Sequence, residues 1–248
     1  MIVLLPPSET KRAGGNGPPL RPGSLSAPSL NPLRFELVNE LIRLAADRAA
    51  SRRALGISIR QEVEIDRNAA LRTSATMPAI DRYTGVLYDA LDIHSLGGAA
   101  AARAKSRLVV VSALFGLLRA EDPIPAYRLS ATSRLPGRTA LASCWRPLLE
   151  PALSKVAEEH LIVDLRSGAY AAFGKAPGAV TIDVAAEHCD GRRTVVSHFN
   201  KAHKGRLARV LASSRSDPGD AAAVAALARR ARVRVERDGD RLTVLVPA

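Results

Sequence analysis

The sequence predicts an α/β fold, more fully a mixed α+β chain forming a single compact domain over residues 1–248. Its mixed central sheet is expected to be flanked by helices, with one helix-hairpin-helix-like element among them. Three observations carry this reading. Short apolar runs rich in Val, Ile and Leu (Ile2–Leu5, Leu108–Val111, Leu161–Val163, Val180–Val184) have the length and composition of buried strands. Stretches with apolar residues at helical spacing separate them. Hydrophobic residues make up 47% of the 248, enough for a sizeable core, although only 4% are aromatic.

The first strand, Ile2–Leu5, is stopped by Pro6-Pro7. Ser8-Glu9-Thr10-Lys11 follows and leads into a Gly-, Pro- and Ser-rich surface loop over residues 12–32. The loop resembles a phosphate loop in composition but lacks the GxxxxGK[ST] spacing. A helix is predicted from Asn31-Pro32 to about Arg53, because Leu37, Leu41 and Leu44 share one face. Ala54-Leu55-Gly56-Ile57-Ser58 breaks it, and a second helical stretch runs from Ile59 to Leu71. Together they form a helical hairpin over about residues 33–72. Gly56 would let the turn's backbone approach a phosphate, with Arg52, Arg53 and Arg60 around it.

Tyr83 to Leu91 reads as a helix with Tyr83, Leu87 and Leu91 in line, and residues 97–104 as another. The central run from Arg107 supplies a buried strand, after which come Ser112, Gly116, Arg119 and a turn at Pro123 and Pro125 that delivers Tyr127 and Arg128. Residues from Arg128 to Ala142 carry no clear signal. Trp145-Arg146-Pro147 opens a helix whose apolar face is Leu148, Leu149, Leu153 and Val156. Leu161 to Tyr170 repeats the central design, a strand ending in Asp164, Arg166, Ser167 and Tyr170. Val180–Val184 and Thr194–Phe199 are strands around Asp190-Gly191, and a helix begins at about Asn200 with Leu207, Val210 and Leu211 inward. A hairpin over about residues 232–246 closes the chain.

The formal net charge is +12. Between Phe199 and Arg237 ten basic residues face three acidic ones. A surplus of this size calls for an anionic partner. Cys144 and Cys189 lie 45 residues apart without a CxxC motif, and the five histidines show no ligand pairing, so neither a disulfide nor a metal site is expected. No cofactor is expected either. No segment approaches 18 uninterrupted apolar residues, and the start lacks a basic signal region, so a cytoplasmic protein without a membrane partner is expected.

Two strands that end in similar Ser, Tyr and Arg clusters point to one shared cleft at their carboxyl ends. Its anion-binding candidates are Ser8, Thr10, Lys11, Arg119, Arg128, Ser167, Lys201, Lys204 and Arg206, together with Arg52, Arg53, Gly56 and Arg60 of the hairpin. Double-stranded DNA bound without sequence preference is one partner this set would serve. The other is a nucleotide, nucleobase or small anion on which the protein acts as an enzyme, with Glu9, Tyr127, Asp164 and Tyr170 as candidates for proton transfer.

Six blocks in order from residue 2 to about 212 resemble one known family. They are the terminal strand with Pro-Ser-Glu-Thr-Lys, Tyr-Thr-Gly-Val-Leu-Tyr, Ser-Ala-Leu-Phe-Gly-Leu-Leu-Arg, Pro-Ala-Tyr-Arg-Leu, Asp-Leu-Arg-Ser-Gly-Ala-Tyr after a Trp-led helix, and Asn-Lys-Ala-His-Lys-Gly. The resemblance is to the bacterial YaaA family of peroxide stress proteins. It implies a mixed α/β fold around a basic cleft, a helix-hairpin-helix element and binding to duplex DNA, including distorted duplex. It also implies a role in limiting peroxide damage linked to lowering free intracellular iron. By this resemblance Ser8, Thr10, Lys11, Tyr83, Gly85, Tyr88, Gly116, Arg119, Tyr127, Arg128, Trp145, Ser167, Tyr170, Lys201, Lys204 and Gly205 match the family pattern. The chain departs from it at Asp164 and Arg166, where Asn and Ala are usual, and at Ser130 and Ala131, where an acid and Met are usual.

Overall fold

The computed structural model describes residues 1–188, 192–195 and 200–247. Strand β1 (Ile2–Leu5) is buried along its whole length. A short strand, β2 (Gly17–Pro19), follows in the Gly- and Pro-rich loop. The long helix expected over residues 31–53 is divided into α1 (Asn31–Leu44) and α2 (Arg48–Leu55). Asp47 makes the division, because its carboxylate accepts the Ala50 amide at 2.9 Å and caps the new helix. Gly56 ends α2 in the left-handed conformation, at φ 62°. The second arm is a single 3-10 turn at Ile59–Gln61 followed by α3 (Val63–Ala69).

Then come β3 (Ala75–Pro78), α4 (Ala79–Arg82) and α5 (Val86–Leu91). The single helix expected from Tyr83 to Leu91 is not formed. Gly85 takes φ 99°, which breaks it, and Tyr83 instead bridges to Lys11 as extended backbone. Helix α6 (Gly98–Arg107) leads into β4 (Leu108–Ser112), which turns back at once into β5 (Gly116–Arg119). The Ser112 hydroxyl accepts the amides of Leu114 and Phe115 inside this turn. β6 (Pro123–Ile124) joins β2 and β3 in a small separate sheet.

Helix α7 (Leu141–Glu159) starts earlier than Trp145 and carries Pro147 and Pro151 inside it. An internal proline costs about 3 kcal/mol. Leu141, Trp145, Leu149 and Leu153, four apart and fully buried, outweigh that cost by burying one continuous stripe. Trp145 also donates its indole N–H to the Ala113 carbonyl at 2.8 Å. A Cβ at Gly116 would lie 2.6 Å from its ring, so this position needs glycine.

β7 (Ile162–Asp164) passes through Ser167 into the short α8 (Gly168–Ala171). β8 (Val180–Glu187) alternates buried and less buried residues, and β9 (Arg193–Val195) pairs with it. Cys189, the Asp190-Gly191 turn and the expected strand residues from Val196 to Phe199 lie outside the described residues. Helix α9 (Asn200–Ser213) is followed by α10 (Ala221–Arg230), an Ala-rich helix absent from the reading of the sequence. Asp220 caps it by accepting the Ala223 amide at 2.7 Å. β10 (Val235–Asp238) and β11 (Arg241–Pro247) form the closing hairpin.

The main sheet runs β10-β11-β8-β7-β1-β4-β5, with β9 attached to β8. β4, β1, β7, β8 and β11 are mutually parallel, and β5, β9 and β10 run against them. This is the mixed α/β architecture expected. Parallel strands covered on both faces read as unbroken apolar runs, which is why β1 and β4 stood out in the sequence. No helix among the described residues is long and apolar enough to cross a membrane.

Candidate functional site

The sheet changes direction at its centre. β1 is followed along the sheet by β4 on one side, whereas its other neighbour, β7, is followed by β8 on the far side. The segments leaving the carboxyl ends of β1 and β7 therefore diverge and leave a crevice between them. A cavity of about 600 Å³ lies there. Pro6 to Thr10 line it from β1, and Leu165, Ser167, Ala169 and Tyr170 from β7 and α8. Thr84 to Tyr88 line it from the start of α5, Ser130 to Thr132 from the long connection, and Asn200, Lys201 and Lys204 from α9.

Hydroxyl side chains are prominent in the lining, Ser8, Thr10 and Ser167 among them. Ser8 Oγ and Thr10 Oγ1 are 3.1 Å apart, and Thr10 donates to the Thr84 carbonyl at 3.2 Å. A Cβ at Gly85 would stand 3.2 Å from Thr10 Oγ1, so the glycine that breaks the helix also leaves room for these groups. Ser167 is exposed at the opposite wall. Lys204 is buried, and its ammonium donates to the carbonyls of Leu165 (3.2 Å) and Arg166 (3.4 Å). Burial lowers its pKa, while Asp183 and Asp164 act in the other direction. Lys201, one turn earlier, is exposed. Neither lysine has an ion-pair partner among the described residues. Among the described residues the cavity's one carboxylate, Glu9, is taken by Arg128 at 2.6 Å. The Asn200 Oδ1 atom is buried without a hydrogen-bond partner.

Beneath this space lies a second layer of polar groups. Lys11 stacks its ammonium 4.1 Å from the centre of the Tyr127 ring and 5.5 Å from that of Tyr83. It donates to the carbonyls of Ser8 (3.0 Å) and Glu9 (3.3 Å), and so holds the loop after β1 in place. Burial lowers its pKa from 10.5 to about 7; the nearby Arg128 guanidinium adds to this, and Glu64 and Glu9 oppose it. The Tyr83 and Tyr127 hydroxyls are 2.8 Å apart, and Tyr127 reaches Ser112 at 2.7 Å. Burial pushes both phenols well above their ordinary pKa.

The candidates sort accordingly. Ser8, Glu9, Thr10, Ser167, Tyr170, Lys201 and Lys204 line the cavity together. Lys11, Tyr127 and Arg128 support it without lining it. Asp164 is held by Arg166 through contacts of 2.9, 3.1 and 2.6 Å, in a buried pair that occupies its carboxylate. Both are positions where the chain departs from the family pattern. Arg119 does not join Tyr127 and Arg128. Because β5 runs antiparallel, its last residue pairs with Val109 near the start of β4, at the other edge of the sheet. Arg206 points outward from α9 and is exposed.

The hairpin stands behind the cavity wall. Asn68 exchanges two hydrogen bonds with the Arg128 backbone, at 2.9 and 2.8 Å, and the Ala54 carbonyl accepts from Arg134 at 2.8 Å. Its charges are largely internal. Arg52 pairs with Glu62, and Arg48 with Glu62 and Asp66. Arg53 and Arg60 are exposed with no ion pair among the described residues. Nothing lies within 4 Å of a Cβ built at Gly56, so its glycine serves the left-handed turn.

The sequence reading missed Asn200, Ser130 and Thr132. Asn200 adjoined the Lys201 cluster and was legible there; Ser130 and Thr132 sit in a stretch without periodicity. Among the described residues, no group of three or more His, Cys, Asp or Glu side chains could hold a metal ion.

Comparison with known proteins adds the following. A family model described as "Peroxide stress protein YaaA" matches residues 1–229. A UPF0246 protein of Corynebacterium efficiens is 48% identical over 240 residues, covering 95% of each chain. One from Streptomyces coelicolor is 47% identical over 92% of this chain and 89% of its own. An uncharacterized protein of Campylobacter jejuni is 28% identical over 86% of this chain and 85% of its own.

Proposed function

The chain belongs to the peroxide stress protein YaaA family, and from that premise we propose that it serves the peroxide response by binding DNA at the crevice between β1 and β7. One observation carries the reading: among the described residues, two ammonium groups, Lys201 and Lys204, border the cavity without a carboxylate partner, while the single carboxylate there is paired with Arg128. An uncompensated cationic site on a chain of net charge +12 attracts a polyanion. The hairpin supports the same reading through Arg53 and Arg60, two further exposed cations beside a left-handed glycine turn.

Binding through phosphates predicts weak sequence preference and steep salt dependence. Fluorescence anisotropy on plain and bulged duplexes tests it. Affinity should fall at least about tenfold between roughly 50 and 200 mM salt, with Lys201→Glu and the double variant Arg53→Glu/Arg60→Glu each flattening that slope. Absence of binding at low salt, or binding indifferent to salt, overturns the proposal. Of the four candidates for proton transfer, only Glu9 and Tyr170 border the cavity, and Glu9 is held by Arg128. Binding is therefore the better-supported reading than catalysis on a small anion.

A further inference from the structure

We infer that the cavity between β1 and β7 holds a single nucleotide unit, with its phosphate at Lys201 and Lys204 and its base against the apolar part of the lining. The volume, about 600 Å³, lies within the range of roughly 300–1,000 Å³ typical of small-molecule sites. A duplex can lie across the mouth of such a space, as proposed above, but only a single nucleotide fits inside it. The lining is divided as such a ligand requires. Pro6, Pro7, Leu87, Tyr88, Ala131 and Tyr170 offer flat or aliphatic surface for a ring. The first two turns of α9 add the two cations, Lys201 and Lys204, where a phosphate is stabilised.

An inorganic anion would leave part of this site unexplained. Asn200 is one of the lining residues, and its Oδ1 is a buried acceptor with no donor among the described residues. Such an atom costs free energy until a donor reaches it. Phosphate at neutral pH is chiefly an acceptor, whereas a nucleotide also carries ring or amino N–H and sugar O–H groups. The Ser8, Thr10 and Ser167 hydroxyls can serve either the sugar or the phosphate.

The unit can arrive as a free mononucleotide or as an unpaired nucleotide of DNA, and the second route rests on the DNA-binding reading above. The full chain is titrated calorimetrically with the four common nucleoside monophosphates and with inorganic phosphate. In parallel, a duplex with one bulged fluorescent purine analogue is followed by anisotropy, for binding, and by analogue emission, for the base's surroundings. The site predicts heat from at least one mononucleotide, a change in analogue emission on the bound duplex, or both, with phosphate alone at least about tenfold weaker than the nucleotide. Ala169→Trp, which fills the cavity from an exposed position on α8, should weaken nucleotide binding or the emission change at least about tenfold, with an unchanged circular dichroism spectrum. Anisotropy without any emission change, together with no mononucleotide binding, overturns the nucleotide site and leaves DNA binding standing. Mononucleotide binding without a DNA anisotropy signal does the reverse. Phosphate binding as tight as nucleotide, or a Trp variant that binds normally, also overturns the inference.

Discussion

Lys11 occupies a place where a cation is costly, yet its ammonium holds two loop carbonyls and covers two phenol rings. Its folded pKa of about 7 lies below the ordinary 10.5. Between those limits the unfolded chain binds more protons than the folded one, so stability should rise with pH from about 7 to about 10.5. Urea unfolding across that range tests this, and Lys11→Met should lose this part of the slope. Arg34 has the complementary role. It is fully buried on α1 and donates to the Phe115 and Leu117 carbonyls at 2.8 and 2.7 Å, fastening the helix to the β4–β5 turn. Arg34→Ala strands two buried acceptors and should cost at least about 2 kcal/mol in the same assay. The residue types of the site were legible from the chain, since seven of the named candidates share one cavity. Their layering was not. Nothing local distinguishes Lys11, which supports the site from below, from Lys204, which lines it, because the partners that bury Lys11 lie 72 and 116 residues away.

At the level of elements, the contact that shapes the cavity is the crossing of α5 and α9. A Cβ at Gly205 would lie 2.2 Å from the Leu87 carbonyl and 2.9 Å from Ala90, so only glycine allows the two helices this approach. Gly205→Ala should force α9 away, destabilising the fold by about 1–3 kcal/mol and moving Lys204 with it. A lowered urea midpoint together with weakened DNA binding is the expected pair of effects; a change in neither contradicts the close crossing. Strands with continuous apolar sequence were readable, as β1, β4 and β7 attest, and so was the glycine turn of the hairpin. Helix α10 was not, because its buried face is mostly alanine, and it is defined by its packing on α9, β10 and β11. Helix α7 misled in the other direction. Its prolines suggest a beginning, and only the buried four-residue stripe explains why the helix continues through them.

The whole molecule sets where the binding groups meet. Five parallel strands with their carboxyl ends aligned bring the loop at residues 6–10, the β7–α8 segment at 165–170 and the start of α9 at 200–204 to one crevice, although those segments are remote in sequence. The similar endings of two strands pointed to a shared cleft, but only the β7 ending lines this one, whereas Tyr127 and Arg128 lie beneath it. The exclusion of Arg119 could not be foreseen, since it depends on β5 running backwards.

The central position of β1 has a further consequence, in time. Ile2–Leu5 leaves the ribosome well before its neighbours, residues 108–110 and 162–164. Until those emerge, the most apolar strand of the sheet has no permanent partner, and pairings of such sequence separation form slowly and leave the nascent chain open to aggregation. Ribosome-bound chains arrested before residue 162 has emerged should therefore be cut readily by protease within the first 110 residues, and longer ones should resist. Equal protection at both lengths would mean that β1 finds a temporary shelter during synthesis.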